Sequence, residues 1–192
     1  MKDSKSDPKQ NAIVTSAWQA FATYGFRKTS MDDIARGAGM SRPALYQHYR
    51  NKEDIFRSLV QHHYDEARVS VRDALQMDGS VIEVLTNALQ KQSEGAAELL
   101  MSPHGMELLD VGSTTAPDIV EAGEAALQVL YAEWLERQVA RGSAKLPGEA
   151  GVVAAMLTTA LKGIKAHAPD VASYTARVQL LGALAGAGLS VR

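Results

Sequence analysis

Along this chain apolar residues recur at three- and four-residue intervals, and no segment alternates apolar with polar as a half-buried strand does. Over residues 9–24, Ile13, Val14, Ala17, Trp18 and Phe21 fall on one helical face, with Trp18 and Phe21 expected in the core. Gly25 follows as a helix-ending glycine. Residues 29–49 predict two short helices, with Ile34, Ala35, Ala38 and Leu45 turned inward. Gly39 falls where the chain reverses, and a glycine takes positive φ there at no steric cost. Thr29 or Ser30 caps the first helix, and Asp32 and Asp33 lie over its positive end. Ser41 caps the second, and Pro43 is tolerated because it falls in the first turn. Arg42, Ala44, Tyr46, Gln47 and His48 are its outward residues. Two short helices, a glycine turn and a polar second helix make a helix-turn-helix, whose second helix enters the DNA major groove. The competing reading is a surface hairpin in an all-α protein.

Asn51 caps a long helix that Ile55, Phe56, Leu59, Val60, Tyr64, Ala67 and Val71 carry to about residue 76. Residues 80–101 read as one helix or two, with Gly95 as the candidate break. The run at 102–105 is a turn, a short helix covers 106–111, and 112–117 is a loop. A helix over 118–141 and a loop over 142–148 lead to two last helices, roughly 149–167 and 170–189. These two are rich in small residues, which let helices approach closely enough for a four-helix bundle with a second copy. The candidate dimer face is Val152, Met156, Ala160 and Ile164 on the first and Tyr174, Val178, Leu181 and Ala185 on the second. The alternative is that these helices complete the core of one subunit.

Charge changes this picture. The net charge of −2 looks wrong for a DNA-binding protein, but residues 1–60 carry +4 and residues 61–192 carry −6. The positive field therefore lies on the end that carries the helix-turn-helix. Residues 1–8 read as a disordered tail, in which Asp3 and Asp7 dilute the lysines. The tail lacks the apolar stretch of a signal peptide, and no run of 18 apolar residues exists to span a membrane. There is no cysteine, so disulfides and thiolate chemistry are excluded, which fits a reducing cytoplasm. The five histidines show no metal-ligand spacing, and no nucleotide-binding or hydrolase motif is present. No cofactor, metal or enzymatic activity is expected.

The run from Thr29 to Asp54 resembles the N-terminal domain of TetR-family transcriptional regulators. Leu45-Tyr46, His48-Tyr49 and Asn51-Lys52-Glu53 carry the resemblance, which covers roughly residues 10–56. It implies an all-α chain with a three-helix DNA-binding domain at 9–56 and a helical ligand-binding and dimerisation domain at 57–192. It also implies a homodimer on a double-stranded DNA operator, most simply a repressor released by a small molecule. Arg42, Ala44 and Gln47 would face base edges; Thr29 or Ser30, Tyr46, His48 and Lys52 would meet phosphates; Ser41 would complete the site. Tyr49 matches the family's aromatic core residue. For the ligand, expected to be apolar or aromatic, the candidate lining is Tyr64, Met101, His104, Met106, Tyr131, Trp134 and Met156. Two rival readings are a DNA-binding protein of the same fold governed by a protein partner, and an all-α enzyme or carrier that mimics the motif.

Overall fold

Capping residues set the helix boundaries in the computed structural model, which describes residues 7–191. Most of the expected tail, residues 1–6, lies outside them. Asp7 accepts from the Lys9 N–H and opens α1 (Pro8–Tyr24). Ser30 and Asp33 form a reciprocal capping box at the start of α2 (Met31–Gly37), and Ser41 caps α3 (Arg42–Tyr46). Asn51 Oδ1 accepts from the Asp54 N–H at 2.7 Å as α4 (Lys52–Leu75) begins. The remaining helices are α5 (Val81–Met101), α6 (Gly105–Thr115), α7 (Pro117–Ala140), α8 (Ala150–His167) and α9 (Val171–Leu189). Among the described residues there is no strand, only a lone antiparallel bridge between Ala144 and Ser190. The all-α expectation holds.

Two local expectations are corrected. Residues 112–115 are helix rather than loop, so α6 runs on until Pro117 starts α7. Gly95 does not break α5. A Cβ there would stand 2.8 Å from the His63 ring, so the glycine makes room for a neighbouring helix.

The described chain divides into two compact units. The first comprises residues 7–62 with Ser102–Val120. Its core gathers Ile13, Phe21, Phe26, Ile34, Leu45, Ile55, Phe56 and Leu108. Phe21, Phe26 and Phe56 form a ring cluster with centroids 5.2–5.7 Å apart. Trp18, expected beside Phe21 in the core, is only half-buried.

The second unit comprises His63–Met101 with residues 121–191. Its core draws on α4, α5, α7, α8 and α9, including Val71, Leu85, Leu89, Tyr131, Trp134, Leu157 and Val178. The closest helix approach is between α5 and α9. A Cβ on Gly182 would lie 2.6 Å from the Thr86 Cα, and one on Gly186 would lie 2.6 Å from the Ile82 Cα. The small residues of α9 thus serve packing inside the subunit.

Candidate functional site

The helix-turn-helix is built from α2, the turn at Gly39 (φ 66°) and α3. Leu45 is fully buried and anchors α3, leaving Arg42 and Gln47 exposed and Tyr46 43% exposed. Ala44 and His48 are half-buried. Arg42 folds back over the Tyr46 ring at 5.6 Å and reaches the Tyr46 hydroxyl and Asp32 Oδ2, each at 3.4 Å. These exposed contacts are long and weak, so the guanidinium can leave them for a stronger partner. Ser30 and Ser41 lie on the surface as caps. The Ser30 hydroxyl and N–H hold the Asp33 carboxyl below its ordinary range.

Two expected phosphate contacts are turned inward. Thr29 is 2% exposed, and its hydroxyl donates to the Gly25 and Ala20 carbonyls at 2.8 and 3.2 Å. The Lys52 ammonium donates to the carbonyls of Phe26, Arg27 and Thr29 at 2.7–3.1 Å, which uses all its protons. Both residues tie the loop at 25–29 in place beneath the helix-turn-helix. Tyr49, expected in the core, is half-buried.

Residues 13–59 match the family described as bacterial regulatory proteins, tetR family. FasR, a transcriptional activator of Mycolicibacterium smegmatis, is 35% identical over 69 residues, covering 36% of this chain and 32% of FasR. The chain thus matches only about a third of the length of that relative. ComR, a transcriptional repressor of Escherichia coli, is 23% identical over 95% of this chain and 91% of its own. SmeT, the repressor of the Stenotrophomonas maltophilia multidrug efflux pump SmeDEF, has the same fold. Its TM-score is 0.73 at 16% identity, over 99% of this chain and 93% of SmeT, and it is also known as a complex with triclosan. Residues 13–59 of this chain are a TetR-family domain.

Among the described residues, two cavities open in the second unit. One, of about 240 Å³, is lined from α4, α5, α7, α8 and α9. His63 and Tyr64 form one wall, and Ala67, Ala96, Leu127 and Leu161 supply apolar surface. Gln92, Ser93, Thr158, Glu124, Lys162 and Lys165 supply the polar groups. Glycine sets the positions of both rings: His63 lies against Gly95, and a Cβ on Gly123 would fall on the Tyr64 ring. Burial, with Glu124 adding to it, pushes the Tyr64 hydroxyl above its ordinary pKa. The other cavity, of about 410 Å³, lies between the ends of α4 and α7 and the start of α5, with Arg72, Trp134, Arg137 and Arg141 in its wall.

The expected ligand residues scatter. Tyr64 lines the smaller cavity and Trp134 the larger. Tyr131 is fully buried in the core and lines neither. Met101, Met106 and Met156 are exposed, because each falls on the outer side of its helix. His104 belongs to the first unit, where Nδ1 lies 3.1 Å from Glu107 Oε2. Sequence reasoning missed Lys162, Lys165 and Glu124. The signal for Lys165 was available: it follows Leu157, Thr158 and Leu161 on the inward side of α8, where a charge is out of pattern.

The residues of the expected dimer face divide between the core and the surface. Tyr174 and Val178 are 2% and 1% exposed, and Ile164, Leu181 and Ala185 pack against the same core. Ala160 is half-buried, while Val152 and Met156 are exposed. The outward apolar residues of the last two helices are Val152, Met156, Leu180 and Leu184.

Proposed function

We propose that this chain is a homodimeric transcriptional repressor, released from a pseudo-palindromic operator by a small molecule held in the second unit. The observation that carries the DNA-binding reading is α3 itself: a capped helix pinned by buried Leu45 that turns Arg42, Tyr46 and Gln47 outward. Arg42 would take a guanine edge through paired hydrogen bonds, with Gln47 and Ala44 beside it on the bases. Tyr46, Ser30, Ser41 and His48 would meet phosphates and sugars, which fix register rather than sequence. Val152 and Met156 on α8 and Leu180 and Leu184 on α9 are exposed apolar residues that a second copy would cover, and two-fold pairing matches a pseudo-palindrome.

The 240 Å³ cavity favours a small-molecule effector over control by a protein partner. To release DNA, the ligand must bind the DNA-free form better than the DNA-bound form, typically by about 1–3 kcal/mol. Repression is favoured over activation by ComR, a repressor that matches nearly the whole chain. The test is a gel shift of the full-length protein on DNA upstream of its own gene, followed by reporter expression with the gene deleted. Binding with raised expression in the deletion supports the proposal. Binding with lowered expression would make the protein an activator, and no specific shift would sink the DNA-binding reading.

A further inference from the structure

Lys165 leaves the 240 Å³ cavity electrically unbalanced. Among the described residues two lysines and one glutamate line it, and Lys162 already pairs with Glu124 at 2.9 Å. The Lys165 ammonium has no hydrogen bond or ion pair to any described residue. Burial pushes its pKa down, and Glu124 only partly opposes that. Among the described residues, the Lys165 charge therefore remains unmatched at the cavity. Gln92, in the same wall, has its Oε1 buried with no hydrogen-bond partner. A cavity lined in this way lacks an anion for Lys165 and a donor for Gln92.

We infer that the cavity binds a small monocarboxylic acid, its carboxylate on Lys165 Nζ and its short apolar or aromatic body against Ala67, Ala96, Leu127 and Leu161. A hydroxyl on that body would donate to Gln92 Oε1. This ligand class rests on the reading of the cavity as the effector site. A neutral ligand would leave the ammonium unmatched and further from water than before. A dianion such as phosphate would bring two charges to the Lys165 ammonium, with the Glu124 carboxylate alongside. A single carboxylate matches the charge of the Lys165 ammonium, and the hydrogen bond it accepts is charge-assisted. The volume of about 240 Å³ lies below the roughly 300–1,000 Å³ of pockets for drug-sized ligands, which restricts the guest to an acid no larger than a substituted benzoate.

Thermal melts and calorimetry on the full-length protein test this with benzoate and 4-hydroxybenzoate, their uncharged amides, and inorganic phosphate. The two acids should raise Tm by several degrees, while the amides and phosphate should not. Lys165→Met should abolish the response to acids and raise the Tm of the ligand-free protein, because it removes the unmatched charge at similar volume. Lys165→Arg should keep the response. The ligand class is overturned if neither acid shifts the wild type, if the amides act as strongly as the acids, or if Lys165→Met still responds. Acids that bind through Lys165 without releasing operator would uphold the ligand class while ending the cavity's role as the control site. Operator release by the amides but not the acids would overturn the class and leave that role standing.

Discussion

The Lys52 ammonium lies 4.7 Å from the centre of the Phe26 ring and donates to the Phe26 carbonyl at 2.7 Å. Together with the Arg27 and Thr29 carbonyls, this makes Lys52 a clasp on the loop between α1 and α2. Removing it leaves three carbonyls to find water or go unpaired. Lys52→Ala should therefore lower stability by about 1–3 kcal/mol, read in urea unfolding. At a temperature where the variant is folded, its DNA affinity should keep the wild-type salt slope. A slope reduced by about one unit, with stability unchanged, would instead mark Lys52 as a phosphate contact.

In the proposed complex with DNA, Arg42 is the base-edge donor of α3. Arg42→Ala should cost about 1–3 kcal/mol per half-site and relax preference at one base pair in each. Binding to an operator library reads both quantities. A loss equal across all sequences would reassign Arg42 to the backbone.

The two faces of α9 should respond differently to charge. Leu184 is 65% exposed, so Leu184→Glu should give a monomer with wild-type helix content and no specific operator binding. Val178 lies in the subunit core, so Val178→Glu should unfold the second unit instead. Sedimentation and circular dichroism separate the outcomes. A Leu184→Glu protein that remains dimeric would refute this interface.

Gly186 is in contact with backbone. Gly186→Ala should force α5 and α9 apart and cost about 1–3 kcal/mol in thermal melts, because the nearest atom is the Ile82 Cα rather than a mobile side-chain end. Gly188→Ala, on the open side of the same helix, serves as the control, since a Cβ there meets nothing within 4 Å. Equal melting temperatures for the two variants would remove the close-packing argument.

Arg57 holds Asp118 through two hydrogen bonds, at 2.8 and 2.7 Å, and also donates to the Thr115 carbonyl. The Arg57 hydrogen bonds bring the Asp118 carboxyl down from 3.8 to about 2. A lowered folded-state pKa adds stability above the unfolded value, and that stability is lost as pH falls through the folded one. The difference in stability between wild type and Asp118→Asn should therefore be constant above about pH 4 and close as pH approaches 2. A difference independent of pH across that window would mean the pair adds nothing through charge.

The legible parts of this chain were those with local causes. Ser30, Ser41 and Asn51 cap the next few residues, and Gly25 and Gly39 take the positive φ that ends a helix or turns the chain. These signals act within about five positions, so sequence order alone reveals them. The failures required knowledge of a distant partner. Gly95 looks like a helix break until the His63 ring is seen against it. On α8 and α9 more than one face is apolar, so periodicity could not tell the face that meets α5 from the face left open. Lys52 reads as a surface cation because nothing in its own helix says that three carbonyls lie within reach.

Gly123 does not line the cavity, yet it decides how far the Tyr64 ring stands back from it. A single methyl group at position 123 would displace that ring and alter the space left for a guest. Such an exchange needs one base change in a glycine codon and touches no ligand-binding atom. On the proposed reading of the cavity as the effector site, new effector preferences are thus within reach of mutation from outside the binding surface, with the helix-turn-helix left unaltered.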